Sequence, residues 1–507
     1  MNTSSRGIIH PSCKYALKNS QKTGRTLKGF LLIGGFIAAL LPAGLGSCAS
    51  ASKTAERPAE HTAPPEAAFV PETAPPAPEL TDTQSILERA AELLGRGDFD
   101  GALALFDTIN AEEAAAPAIQ LLRASVLNSA GRTGEARPIV EGILSRQPDN
   151  TEALLVLSAV EAASGKEREQ RAILERIVKA EPDNIKALVG LGNIAFGAQS
   201  LRTAASYYDR VLRTDPENGE ALVGRAMVYR YEKNPKNAER LLNRAARLYP
   251  QWASPLHERA RLYRGAGYAQ EALDDLDGAK KLEPGNYWIA VDRGAALIDL
   301  NRKPEALEEF TRAIGLNPNS FIAYVYSAGI KDESGDYAGA EQDYTVLAKL
   351  KPEYYFAFEG LGIIKMRNHQ WAGARDAFLE AYRQAPREPG YALLAAMNWM
   401  RAGRINDPRQ FLAEALRRVE RESLEWYMLR LYHDLAGDND TAIRIDREKN
   451  LDNKARMLYY LANYYDIRGN KTLADKYFLQ VKELDRKAIP EWRLNEWIIE
   501  ERNLKAF

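Results

Sequence analysis

Cysteine is nearly absent: the 507 residues hold two, Cys13 and Cys48, both near the start of the chain. Two thiols so placed make neither a disulfide framework nor a metal-binding set. Histidine is scarce as well, at positions 10, 61, 257, 369 and 433, with no HExxH and no close pair. That argues against zinc-protease and other His-based metal chemistry, and no metal or cofactor is expected. There is no excess of one charge either, the net being −1 at pH 7. Arg6, Lys14, Lys18, Lys22, Arg25 and Lys28 put +6 on the first 47 residues, which hold no acid, and so leave −7 on the rest. A mildly acidic remainder lacks the basic footprint of a nucleic-acid binder. Long apolar runs are missing too, save one near the start.

That run lies in FLLIGGFIAALLPAGLGSC, residues 30–48, where Pro42 ends it. A positive segment, a short apolar segment and then small residues are the order of a secretory signal, and the run is too short to span a bilayer. The last four residues, Leu45-Gly46-Ser47-Cys48, resemble the lipobox of bacterial lipoproteins. The resemblance implies cleavage after Ser47, a diacylglycerol on the Cys48 thiol and acylation of the new amine. Several acyl chains, at about 0.8 kcal/mol per buried CH₂, anchor a protein stably. Ala49 in place of an aspartate points, by the same resemblance, to the outer membrane facing the periplasm. Residues 48–82 follow, rich in Pro, Ala, Thr and Glu. They bury too little apolar surface to fold, and their prolines favour an extended stalk of about 3.1 Å per residue.

Beyond residue 82 the chain is periodic. Pro148, Pro182, Pro216, Pro250, Pro284, Pro318, Pro352 and Pro386 stand 34 residues apart without a gap. In the frame they set, position 8 is small (Ala90, Ala124, Ser158, Gly192, Ala226, Ala260, Gly294, Ala328, Gly362, Ala396) and position 20 is mostly alanine (Ala102 to Ala374, and Ala442). Large aromatics recur at position 24, as Phe106, Tyr208, Phe310, Tyr344 and Phe378, and later at Phe478. Glycines at 97, 131, 165, 267, 335, 403, 437 and 469 mark a turn inside each unit, and Asn150, Asn184, Asn218 and Asn286 stand where a new helix is capped. This pattern resembles the tetratricopeptide repeat, a pair of antiparallel helices that buries its apolar faces only by stacking on its neighbours. The resemblance implies an all-α, right-handed superhelical solenoid of about twelve units over residues 83–488. Repeats start near 83, 117, 151, 185, 219, 253, 287, 321, 355, 389, 423 and 455. Gln170 and Pro408 interrupt position 20, and Pro408 reads as a late helix start, with irregular packing expected over 404–456. Residues 489–507 read as an amphipathic capping helix whose Trp492 and Trp497 cover the open end.

In this family the first helix of each pair lines a concave groove. Carried onto this chain, that face presents Asn193, Phe196, Met227, Arg230, Tyr231, Arg261, Arg264, Trp288, Tyr326, Met366, Arg367 and Met400, beside His257, Met397 and Arg401. Aromatics, Met and Arg are the residue types of binding surfaces, and Arg230, Arg261 and Arg264 suit acidic groups. The competing reading places the Met and aromatic side chains in the inter-repeat core. The carboxylate clamp of chaperone-binding members needs Lys at position 5, which this chain never has, so a chaperone ligand of that kind is not expected. No segment outside the repeats is long enough for an enzyme domain, and Asp332 and Glu333 read as helix-end charges. The expectation is a non-enzymatic, lipid-anchored scaffold or adaptor that binds proteins or peptides in the bacterial cell envelope. The alternative is an accessory lipoprotein that binds a glycan or wall polymer.

Overall fold

The computed structural model describes residues 82–504. The expected signal segment, Cys48 with its cleavage point after Ser47, and the stalk up to residue 81 lie outside the described residues, as do 505–507. The described residues are helical and contain no strand. They divide into two compact units, one ending at Leu241 and one beginning at Leu242.

In the first unit the helices are α1 Thr83–Gly95, α2 Phe99–Phe106, α3 Ala111–Ala114, α4 Pro117–Ser129 and α5 Thr133–Arg146. There follow α6 Thr151–Ala163, α7 Glu167–Ala180, α8 Ile185–Gly197, α9 Leu201–Thr214 and α10 Gly219–Tyr231. Helix α11, Pro235–Leu248, contains the division. In the second unit come α12 Ala253–Gly265, α13 Ala269–Leu282, α14 Tyr287–Asp299, α15 Lys303–Leu316 and α16 Phe321–Ser334. Next are α17 Tyr337–Leu350, α18 Tyr355–Arg367, α19 Trp371–Gln384, α20 Pro389–Arg401 and α21 Arg409–Leu416. The last are α22 Leu424–Asp434, α23 Asp438–Arg447, α24 Leu451–Ile467, α25 Lys471–Glu483 and α26 Pro490–Arg502.

The first helix of every repeat from 83 to 389 begins on the residue that the proline ladder sets. Local chemistry accounts for this. The side chains of Asn150, Asn184 and Asn218 accept from the N–H groups of Ala153, Ala187 and Ala221 at 2.9, 3.0 and 3.0 Å. Each such cap contributes about 1 kcal/mol. Arg176, Arg210 and Arg312 then donate to the carbonyls of Pro148, Pro182 and Pro284 at 2.9, 2.6 and 2.8 Å, tying each proline turn to the second helix of the following repeat. Between paired helices one residue takes left-handed backbone. It is glycine at eight such turns, with φ from +73° to +93°, but Gln199, Lys233, Asn301 and His369 hold it at +54° to +61°.

The core follows from the small positions. Alanines at position 20, from Ala102 to Ala374, are fully buried. A Cβ added at Gly192 would lie 2.7 Å from the Tyr208 ring, and one at Gly224 would lie 2.5 Å from it. Tyr208 thus wedges between the first helix of its own repeat and that of the next.

Two features depart from the expected frame: helix α3 was not foreseen, and the twelfth repeat opens at Leu451 rather than near 455. Over 404–450, where irregular packing is expected, the helices shorten: α21 starts late, with Pro408 at its N-cap, and α22 ends on Leu435 at φ +58°. Helix α26 covers the last repeat, where Asn495 Nδ2 donates to the Phe478 carbonyl at 3.0 Å. It also reaches back 161 residues, where Arg493 Nη1 donates to Asp332 Oδ2 at 2.8 Å.

Candidate functional site

In the first unit, α8 and α10 bring together five of the residues expected on the groove face. Asn193 is held from below, its Oδ1 accepting from the Tyr208 hydroxyl at 2.7 Å. Met227 is buried at 7% exposure and belongs to the core. Phe196, Arg230 and Tyr231 form a patch. The Phe196 and Tyr231 rings meet edge to face at 5.3 Å, and the Arg230 guanidinium lies 4.9 Å from the Tyr231 centroid. Tyr231 stays 44% exposed. Two adjacent repeats supply this aromatic and cationic surface.

In the second unit Arg261 and Arg264 are engaged by acids. Arg261 donates from Nε to Asp292 Oδ2 at 2.6 Å and from Nη1 to Glu258 Oε1 at 2.8 Å. His257 Nε2 lies 2.7 Å from the same Asp292 oxygen, and Arg264 Nε donates to Asp299 Oδ2 at 2.6 Å. Burial pulls the Arg261 guanidinium down, but Asp292 and Glu258 outweigh it and hold it above its ordinary value. Burial likewise pushes Asp292 up, yet Arg261 and His257 hold it well below the usual carboxylate range. These groups bind one repeat to the next through charge-assisted hydrogen bonds. Tyr326 is also a core residue: its ring stacks on Phe310 at 4.6 Å, the planes 5° apart. Met366, Met397 and Met400 are buried at 6%, 0% and 3%. Trp288 is half-buried, its ring 4.9 Å from that of Tyr287. Arg367 stays exposed, with its guanidinium 4.1 Å from the Tyr337 centroid.

Arg367 leads to a cluster that the sequence reading missed. Trp497 of α26 meets Tyr337 edge to face at 5.5 Å and sits 5.6 Å from the Arg367 guanidinium. One turn earlier Arg493 lies 4.6 Å from the Trp497 centroid and grips Asp332 with both terminal nitrogens. Asp332, read from the sequence as a helix-end charge, is buried at 8% exposure. Further along α26, Arg502 pairs with Asp466 at 2.6 Å and Asp475 at 2.9 Å, while Arg401 reaches Asp466 at 2.9 Å. The four-residue step from Arg493 to Trp497 was visible in the sequence, but the distant aspartate was not. A second buried acid, Glu359, accepts a hydrogen bond from the Tyr391 hydroxyl. Burial pushes it up to about 7, against the Tyr391 hydroxyl that lowers it and with Glu491 of α26 that raises it further.

Among the described residues no group of three His, Cys, Asp or Glu side chains is set to hold a metal ion. No described helix is long and apolar enough to cross a membrane.

Tetratricopeptide repeat family models match residues 93–159, 127–192, 189–253 and 291–355. No curated protein matches the chain. Among solved structures it is similar to a tetratricopeptide repeat protein from Parabacteroides merdae, at 18% identity over 49% of this chain and 98% of that one, with a TM-score of 0.39. The Pseudomonas aeruginosa pilF protein is 20% identical over 40% of this chain and 92% of its own, with a TM-score of 0.37. The Thermus thermophilus protein TTC0263 is 20% identical over 36% of this chain and 98% of its own, with a TM-score of 0.33.

Proposed function

This is a tetratricopeptide repeat chain, and from that premise we propose that it works as a protein-interaction scaffold, a non-enzymatic adaptor in a bacterial cell envelope. The first-helix face of the repeats starting at 185 and 219 receives a protein or peptide partner. One observation carries this reading: Phe196, Arg230 and Tyr231, drawn from adjacent repeats, make an aromatic and cationic patch in which Tyr231 is 44% exposed. Such residues dominate binding energy where they are desolvated by a partner. The sequence Leu45-Gly46-Ser47-Cys48 supports a lipid anchor on Cys48, at the outer membrane and facing the periplasm. A scaffold so tethered would serve an assembly or regulatory complex at that surface.

A photo-crosslinking residue in place of Tyr231, in the full chain purified from detergent-solubilised membranes, tests the reading. Arg240, exposed on α11, is the control site. One protein captured from position 231 and not from 240 is the expected result. No capture at either site removes the adaptor reading and brings a glycan or wall-polymer ligand forward.

A further inference from the structure

We propose that the surface made by α16, α17 and α18, in the repeats starting at 321 and 355, is a helix-binding groove that α26 holds closed. The outside partner it takes is an amphipathic helix carrying an arginine and a tryptophan four residues apart. The resident helix defines this chemistry. Residues four apart lie on one face of a helix, so Arg493 and Trp497 enter the groove together. Arg493 docks on Asp332 of α16, while Trp497 docks between Tyr337 of α17 and Arg367 of α18. On another face of α26, Arg502 pairs with Asp466 of α24 and Asp475 of α25 in the last repeat. The groove thus offers buried carboxylate at one end and aromatic surface beside it, complementary to a cationic, tryptophan-bearing helix. Asp332, at 8% exposure beneath α26, accepts from the Tyr344 hydroxyl at 3.3 Å, and Arg493 of α26 supplies the cation that balances this buried acid.

The seating of α26 is imperfect in a way that favours exchange. Three side-chain polar atoms of this helix, Trp492 Nε1, Asn495 Oδ1 and Glu496 Oε1, are buried without a hydrogen-bond partner. Buried polar atoms without partners lower the stability of the closed state relative to one in which water reaches them. A cavity of about 90 Å³ also remains between α26 and the helices α18, α20 and α24. Residues 484–489 are the only link from α25 to α26, short enough to keep the released helix near its groove. A partner therefore meets a groove available only in the fraction of molecules with α26 released, which weakens its apparent affinity by that fraction.

The inference rests on the adaptor reading for the existence of an outside partner, but Tyr231 belongs to the other compact unit, so the two fail separately. The probe is a fluorescent synthetic peptide spanning residues 488–504, titrated against the full chain. Arg493→Ala in the protein should bind it at least tenfold more tightly than the unaltered chain, and adding Asp332→Ala should abolish that gain. A peptide with alanine in place of its arginine should bind weakly to both. Equal affinity for the unaltered chain and the Arg493→Ala chain would overturn the proposal, as would equal affinity for the two peptides. If Arg493→Ala does not fold, hydrogen exchange on the unaltered chain decides instead. Amides of α26 should exchange well before those of α24, and exchange of both only by global unfolding would make α26 a permanent cover. A concentration-dependent dimer of the Arg493→Ala chain would assign the groove to a second copy's α26 and overturn the outside partner.

Discussion

Replacing Gly294 with alanine tests the packing logic of the repeat, because two known effects oppose each other there. In an ordinary helix interior the change stabilises by about 1 kcal/mol, since glycine loses more backbone freedom on folding. Gly294 is in the middle of α14, but an added Cβ would lie 2.8 Å from Phe310 Cζ and 2.9 Å from Cε1. Phe310 is fully buried, and its other face stacks on Tyr326 at 4.6 Å, so the ring retreats only by displacing a second ring. Overpacking of this kind costs about 1–3 kcal/mol, which outweighs the propensity gain and leaves a net loss of about 1 kcal/mol. Gly142 of α5 is the control: nothing stands within 4 Å of its added Cβ, so Gly142→Ala should gain about 0.5–1 kcal/mol. Urea unfolding followed by far-UV circular dichroism reads both changes, and hydrogen exchange in α14 and α15 localises the loss. Phe310→Leu in the Gly294→Ala background should recover part of it, with a coupling of about 1 kcal/mol in the double-mutant cycle. If Gly294→Ala stabilises as much as Gly142→Ala, the close approach of ring and helix does not hold the repeats together.

Other expectations follow from the same structure. Lys233 holds left-handed backbone at φ +57°, so Lys233→Gly should stabilise the chain by about 0.5–1 kcal/mol in the same urea assay. Arg261→Met leaves Asp292 with His257 and, at 3.9 Å, Arg264, and should lose about 3–5 kcal/mol; a loss below about 1 kcal/mol would show that the ion pair is not integral to the fold. Glu359 carries the pH dependence, surrounded by Tyr391, Glu491, Arg456 and Glu388. Its folded-state value of about 7 lies above the ordinary 4.5, so the folded chain keeps a proton that the unfolded chain releases. Stability from this group is full below pH 4.5 and falls as pH rises toward 7, by about 3 kcal/mol at most. Glu359→Gln should flatten that slope in urea midpoints taken between pH 5 and 7.5, and an unchanged slope would move the titration to another group.

Much of this architecture was legible because it is written locally. A proline, a turn residue and two small positions recur at 34-residue intervals, joined in four repeats by an asparagine cap at 150, 184, 218 or 286, and each acts on neighbours a turn or two away. The ten regular helix starts follow from those signals alone. What the sequence hid were relations between distant residues. Met366 and Met400 sit at positions that face the groove in the repeat pattern, yet both are buried, and Tyr326 meets the preceding Phe310 ring instead of the groove. Arg261 and Arg264 looked available to a ligand because Asp292 and Asp299, their partners in the next repeat, sit about thirty residues away, each unremarkable by itself. Asp332 and Arg493 are the extreme case, since no periodicity joins residues 161 apart. The patch at Phe196, Arg230 and Tyr231 was legible because both contributing helices lie in register.

The shared frame of the repeats conceals a fixed serial order. At position 6 the residue meeting the preceding ring is Gly224 beside Tyr208, Tyr326 beside Phe310 and Gly360 beside Tyr344. Each ring is therefore fitted to its own successor and not to repeats in general. Excising residues 355–388, one whole period, would leave every cap and turn intact but bring Leu394 into the place of Gly360. The Tyr344 ring already stands where a single Cβ would be 2.6 Å away, so a leucine there cannot be accommodated without a local rearrangement. The array cannot shorten or reshuffle by simple loss of a unit. Its units carry individual addresses, and its length is set by them.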